Sequence, residues 1–164
     1  MRRIFKSALL SIFLVLGVAV GVTTVAGSAQ AATGGCYGAS CNGRDPSGLC
    51  DDGVTVATTT VAEGLLELRY SPSCGANWGR YTPWQPNAYG YFLQGKGIYA
   101  RVTVWNPGSP SYGTAHHDMT WNNFGSSWSQ MADGTKMACT GVEVVITGDK
   151  GDYDSQGWDE GPCY

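Results

Sequence analysis

The chain has 164 residues, 43% of them hydrophobic and only 14% charged, with 24 glycines and a formal net charge of −3. Three of its ten Lys/Arg and none of its thirteen Asp/Glu fall in the first 31 residues, so the remainder sets seven cations against thirteen acids, formally −6. Such a surface repels phosphate backbones and anionic membranes, and no Lys/Arg cluster offsets it, which argues against nucleic acid and acidic polymers as partners.

In chain order, Arg2, Arg3 and Lys6 precede an uncharged apolar run from Ala8 to Val25, and Ser28-Ala29-Gln30-Ala31 supplies the small-x-small pattern of a cleavage site. Residues 1–31 therefore read as an export signal and residues 32–164 as one secreted domain, with no stable membrane insertion after cleavage. An uncleaved anchor is the rival reading, but Gly and Thr/Ser interrupt the run. All six cysteines (Cys36, Cys41, Cys50, Cys74, Cys139 and Cys163) lie beyond the signal, an even number in a small exported chain, which predicts three disulfides. Proximity favours one bridge inside the N-terminal Cys36, Cys41 and Cys50 group, one from that group to Cys74, and one from Cys139 to Cys163.

Short alternating or β-branched runs separated by Gly, Pro, Asn and Asp predict an all-β fold, a small disulfide-stapled sandwich or barrel with long Gly- and aromatic-rich loops. Val54 to Val61 and Leu65 to Tyr70 form a predicted hairpin turning at Glu63-Gly64. Trp78 to Thr82 is a weaker strand, and Ile98 to Trp105 a strong one with Ile98, Ala100, Val102 and Val104 on one face. Asp133-Gly134 predicts a tight hairpin between Ser127 to Met131 and Lys136 to Thr140, and Val142 to Thr147 follows. Pro83 to Lys96, Asn106 to Phe124 and Gly148 to Tyr164 read as surface loops.

The run CYGASCNGRDPSGLC, followed some fifteen residues later by LELRYSPSCGANWGRYT, resembles the small secreted proteins of Gram-positive bacteria grouped as YjfA-like, a domain of unknown function. The likeness covers Cys36 to Thr82. It implies secretion and a cysteine-bridged β-rich domain, and it implies no catalytic residue.

Within that stretch Glu67, Arg69 and Arg80 form either a recognition patch or a cross-strand ion pair, and the second reading is the simpler. His116-His117-Asp118 is the catalytic candidate by residue type, yet neighbouring strand residues face opposite ways and no third and fourth metal ligand stands at a recognised spacing. No Gly-x-Ser-x-Gly occurs and every cysteine is assigned to a bridge, so no nucleophile is indicated. Asp149, Asp152 and Asp154 offer hard oxygen ligands for calcium, but without the EF-hand spacing; no cofactor is assigned.

Aromatics crowd the stretch from Trp84 to Trp128. If the apolar face of Ile98 to Trp105 is the core face, Tyr99, Arg101, Thr103 and Trp105 face outward as a platform suited to sugar rings or a protein hot spot. The function this supports is a secreted, non-enzymatic binding or adaptor domain for a cell-wall, carbohydrate or protein ligand. Two alternatives stand beside it: a secreted hydrolase using His116, His117 and Asp118, and an inhibitor of an extracellular protease or toxin presenting Trp105 to Gly113.

Overall fold

A computed structural model describes residues 35–61, 64–84, 90, 93, 96–116, 125–147 and 153–164. The signal segment 1–31 lies outside them, as do His117, Asp118, Asp149 and Asp152. His116 and Asp154 are placed as strand residues, but their side chains lie outside the described set.

The described chain is a two-sheet antiparallel sandwich. A 3₁₀ turn, Gly38–Cys41, opens it. The first sheet holds β1 (Val54–Val61), β2 (Gly64–Ser71), β3 (Ala76–Pro83) and β6 (Ser127–Trp128) in the order β1-β2-β3-β6, with β7 (Ala132–Asp133) also paired to β3. The second holds β4 (Gly97–Trp105), β5 (Ser111–His116), β8 (Cys139–Thr147) and β9 (Tyr153–Cys163) in the order β5-β4-β8-β9.

Period-two alternation sets the two faces of each strand. In the first sheet Leu66, Leu68 and Tyr81 point inward and are fully buried; in the second Ala100, Val102, Val104, Val142 and Val144 meet them. The sheets approach closely at Gly79, where a Cβ would overlap Thr140 Oγ1 and stand 2.7 Å from Val102 Cγ1. That contact orients β4: Val102 faces in, so Arg101 and Thr103 face out.

A third cluster sits on the outer face of the first sheet, where Cys36, Cys41, Cys50, Cys74, Ala76, Trp78 and Met131 pack together. Residues 35–53 thus form a cap with little regular structure, tied down by Cys36–Cys41 and Cys50–Cys74. Cys139–Cys163 joins β8 to β9. The three bridges follow the proximity expectation, and no described cysteine is free.

Three expectations need correction. Asp133-Gly134 does turn the chain, but Ser127 to Met131 and Lys136 to Thr140 do not pair across it; β7 pairs with β3, and β8 runs unbroken from Cys139 in the other sheet. The Asp133 carboxylate accepts from the Thr135 backbone N–H at 3.0 Å and hydroxyl at 2.6 Å, and Gly134 N–H donates to Gly75 O at 2.8 Å, so this turn crosses between sheets instead of closing a hairpin. Part of the Asn106 to Phe124 loop is strand β5, and most of the C-terminal loop is strand β9. Both are edge strands held in place by pairing to β4 and β8; β5 (SYGTAH) is short and holds a glycine, and β9 (YDSQGWDEGPC) is rich in Gly and Asp. Pro162 is tolerated near the end of β9 because an edge strand leaves one row of backbone groups outside the ladder.

Candidate functional site

Two surfaces gather chemistry-bearing side chains, one on the outer face of each sheet. On the second sheet, the register places Arg101 opposite Glu143, Thr103 opposite Gly141 and Trp105 opposite Cys139, while Glu143 pairs on its far side with Trp158. Arg101 donates to Glu143 Oε2 at 3.0 Å, with the Arg101 side chain 62% exposed. Tyr99 and Trp105 are half-buried. Tyr99, Arg101 and Trp105 thus share one side of β4, opposite Val102 and Val104, with Arg101 the exposed member.

Trp158, absent from the sequence-derived platform, joins it. The residue is 46% exposed, and its ring lies 6.1 Å, centroid to centroid, from that of Trp105, with the planes tilted by 43°. Two glycines make this placement feasible. Gly157, at φ +103°, adjoins the bulge in the β8–β9 pairing and turns the strand immediately before Trp158. Gly141 lies under the ring, where a Cβ would stand 2.7 Å from Trp158 Cη2 and overlap Cζ2. Pairing outward from the Cys139–Cys163 bridge without interruption would set Trp158 opposite Val144; the register shift between Cys139 and Gly141 sets it opposite Glu143 instead, which sequence reasoning could not supply.

On the first sheet, Glu67 is 6% exposed and opposite Arg80 in the β2–β3 register. Arg80 clamps it with two hydrogen bonds, Nε to Oε2 at 2.6 Å and a terminal nitrogen to Oε1 at 2.8 Å. Thr55 donates to the same Oε1 at 2.7 Å and accepts from Arg69 at 2.7 Å, and Arg69 also donates to Gly53 O. Burial alone would raise the Glu67 pKa, but the hydrogen bonds from Arg80 and Thr55 and the charges of both arginines outweigh it and hold the carboxyl below its ordinary value. The bond to Glu67 raises the Arg80 pKa, while burial and then the neighbouring Arg80 charge lower that of Arg69.

Beside this pair an open cavity of about 460 Å³ is lined by Pro46, Ser47, Cys50 and Asp51 of the cap and by Arg69, Trp78, Arg80, Ser126 and Trp128 of the sheet. Of the Glu67, Arg69 and Arg80 group the two arginines line it, and the cap, Trp78, Ser126 and Trp128 supply the rest.

The segment Trp105 to Gly113 is the end of β4, a short turn and the start of β5. Asn106 holds the turn with side-chain donations to Asp133 O at 2.8 Å and Met137 O at 2.9 Å. Among the described residues the sulfurs of Cys36, Cys41 and Cys74 form the one close group of metal-ligating types, and all three are bridged.

No curated protein and no solved structure shows significant similarity to the chain. A family model described as "Protein of unknown function (DUF2690)" matches residues 39–153, a span that contains the residues lining the cavity and strands β4 and β8 but not Cys36 or Trp158. The chain belongs to this family of proteins of unknown function.

Proposed function

We propose that this protein is an exported binding domain whose outer second-sheet face, Tyr99, Arg101, Trp105 and Trp158, takes an extracellular polysaccharide. The observation that carries the reading is the Trp105–Trp158 pair: two indole rings 6.1 Å apart, with Trp158 46% exposed as a residue, on a sheet whose strands are staked by a disulfide. Flat amphipathic rings stack on the C–H faces of sugars at low cost in side-chain entropy, and the Arg101–Glu143 pair between Tyr99 and Trp105 offers donors and acceptors to hydroxyls.

A net charge of −6 on residues 32–164 favours a neutral chain over a polyanion. Export rests on residues 1–31, and three disulfides suit an oxidising compartment. The narrower grouping as a YjfA-like protein of Gram-positive bacteria rests on the Cys36 to Thr82 motif.

The test is sedimentation with insoluble cellulose, chitin and purified cell walls. Wild-type protein should be depleted by at least one of them, and Trp105→Ala/Trp158→Ala protein should stay in solution while keeping its wild-type unfolding transition. Retention of the folded double variant refutes the platform.

A further inference from the structure

We propose that the cavity between the N-terminal cap and the first sheet is a second binding site, for a sugar residue that carries a carboxylate. Arg69 would meet the carboxylate, and Trp78 and Trp128 the ring. This site lies on the sheet opposite the platform and does not depend on it.

The charge pattern selects the ligand. Glu67 is consumed by Arg80: both carboxylate oxygens are within 2.8 Å of that guanidinium, and Oε1 also accepts from Thr55. Arg69 is left with neutral acceptors, Thr55 Oγ1 and Gly53 O, and its nearest approach to Glu67 is 4.0 Å. Its side chain is 18% exposed and lines the cavity, a cation in a partly desolvated wall with N–H groups in a planar fork. Such a group binds a carboxylate more strongly than an exposed lysine would, because fork and carboxylate match and water competes less.

The remaining lining fits a sugar ring. Trp78, 7% exposed, and the half-buried Trp128 present aromatic surface, and Trp128 is steadied by an indole N–H donation to Asp45 at 3.3 Å. Ser47, Asp51 and Ser126 line the same cavity with hydroxyl and carboxylate groups suited to sugar hydroxyls. A volume of about 460 Å³ is within the range of small-ligand sites, roughly 300–1,000 Å³. Asp51 in the lining and the acidic remainder of the surface work against a polyanion, so the carboxylate is a single one on an isolated or terminal residue.

Titration of the purified, oxidised protein with D-glucuronate, D-glucose and acetate tests this, read by tryptophan fluorescence and calorimetry. Glucuronate should bind saturably, glucose and acetate each at least about tenfold more weakly, and the glucuronate affinity should fall as NaCl is raised. Arg69→Gln should weaken glucuronate by about tenfold or more and leave glucose unchanged, whereas Trp128→Ala should weaken both sugars. If Arg69→Gln does not fold, the wild-type rank order, its salt dependence and Trp128→Ala still decide. Equal binding of glucose and glucuronate overturns the role of Arg69, equal binding of acetate overturns the sugar, and the absence of saturable binding by any of the three overturns the site.

Discussion

Gly79→Ala tests the sandwich that orients both surfaces. The new methyl would overlap Thr140 Oγ1 and stand 2.7 Å from Val102 Cγ1, both side chains of the opposite sheet. Alanine in a strand gains roughly 0.5–1 kcal/mol over glycine from backbone entropy, while overpacking a closed core costs about 1–3 kcal/mol. Two contacts from a neighbouring sheet, neither at the tip of a long side chain, put the cost near the top of that range, for a net loss of about 2 kcal/mol. With a urea slope of about 2 kcal/mol/M, the unfolding midpoint should fall by about 1 M at unchanged slope. Thr140→Ala removes the overlapping oxygen at the expense of its hydrogen bond to Thr103 O, 2.8 Å long and worth about 1 kcal/mol. The double variant should then lose less than the two single losses added together. A neutral Gly79→Ala, or strictly additive losses, would mean that the sheets do not meet here and that the facing of β4 is wrong.

The remaining predictions concern covalent structure, pH and processing. Cys50→Ser/Cys74→Ser opens a 24-residue separation and should cost about 3.5 kcal/mol by loop entropy, against about 2 kcal/mol for the 5-residue separation of Cys36–Cys41; paired thermal melts check the order, and alkylation without reductant should label no thiol. Because the folded-state pKa of Glu67 lies below its ordinary 4.5, its ion pair stabilises the fold above that pH and the benefit is lost as pH falls below it. Asp52 and Asp133, both lowered from 3.8, add to the same acid limb, and Glu67→Gln should make the limb shallower in pH-dependent urea melts. Intact mass of exported protein should begin at Ala32, and a membrane-bound product retaining Met1 would contradict the cleavage site.

β1, β2 and β4 were legible because their composition and alternation are local: VTVATTTV is β-branched, and GIYARVTVW alternates apolar and polar faces. β9 was not, because YDSQGWDEGPC has the composition of a loop and is a strand only through its pairing to β8 and the Cys139–Cys163 bridge. The same non-local register hid Trp158, whose place beside Trp105 depends on the register shift between Cys139 and Gly141 and on an absent Cβ at Gly141. Tyr99, Arg101 and Trp105 could be put outward from their alternation with Val102 and Val104 alone. The cavity was out of reach of sequence reasoning, since Asp51, Arg80 and Trp128 are brought together by the cap and by a two-residue pairing of β6 with β3.

The account stands most directly on the outward second-sheet face, and sedimentation of Trp105→Ala/Trp158→Ala against wild type on insoluble polysaccharide measures it. Folded double variant left in the supernatant, with wild type in the pellet, is the predicted result; folded double variant in the pellet contradicts it.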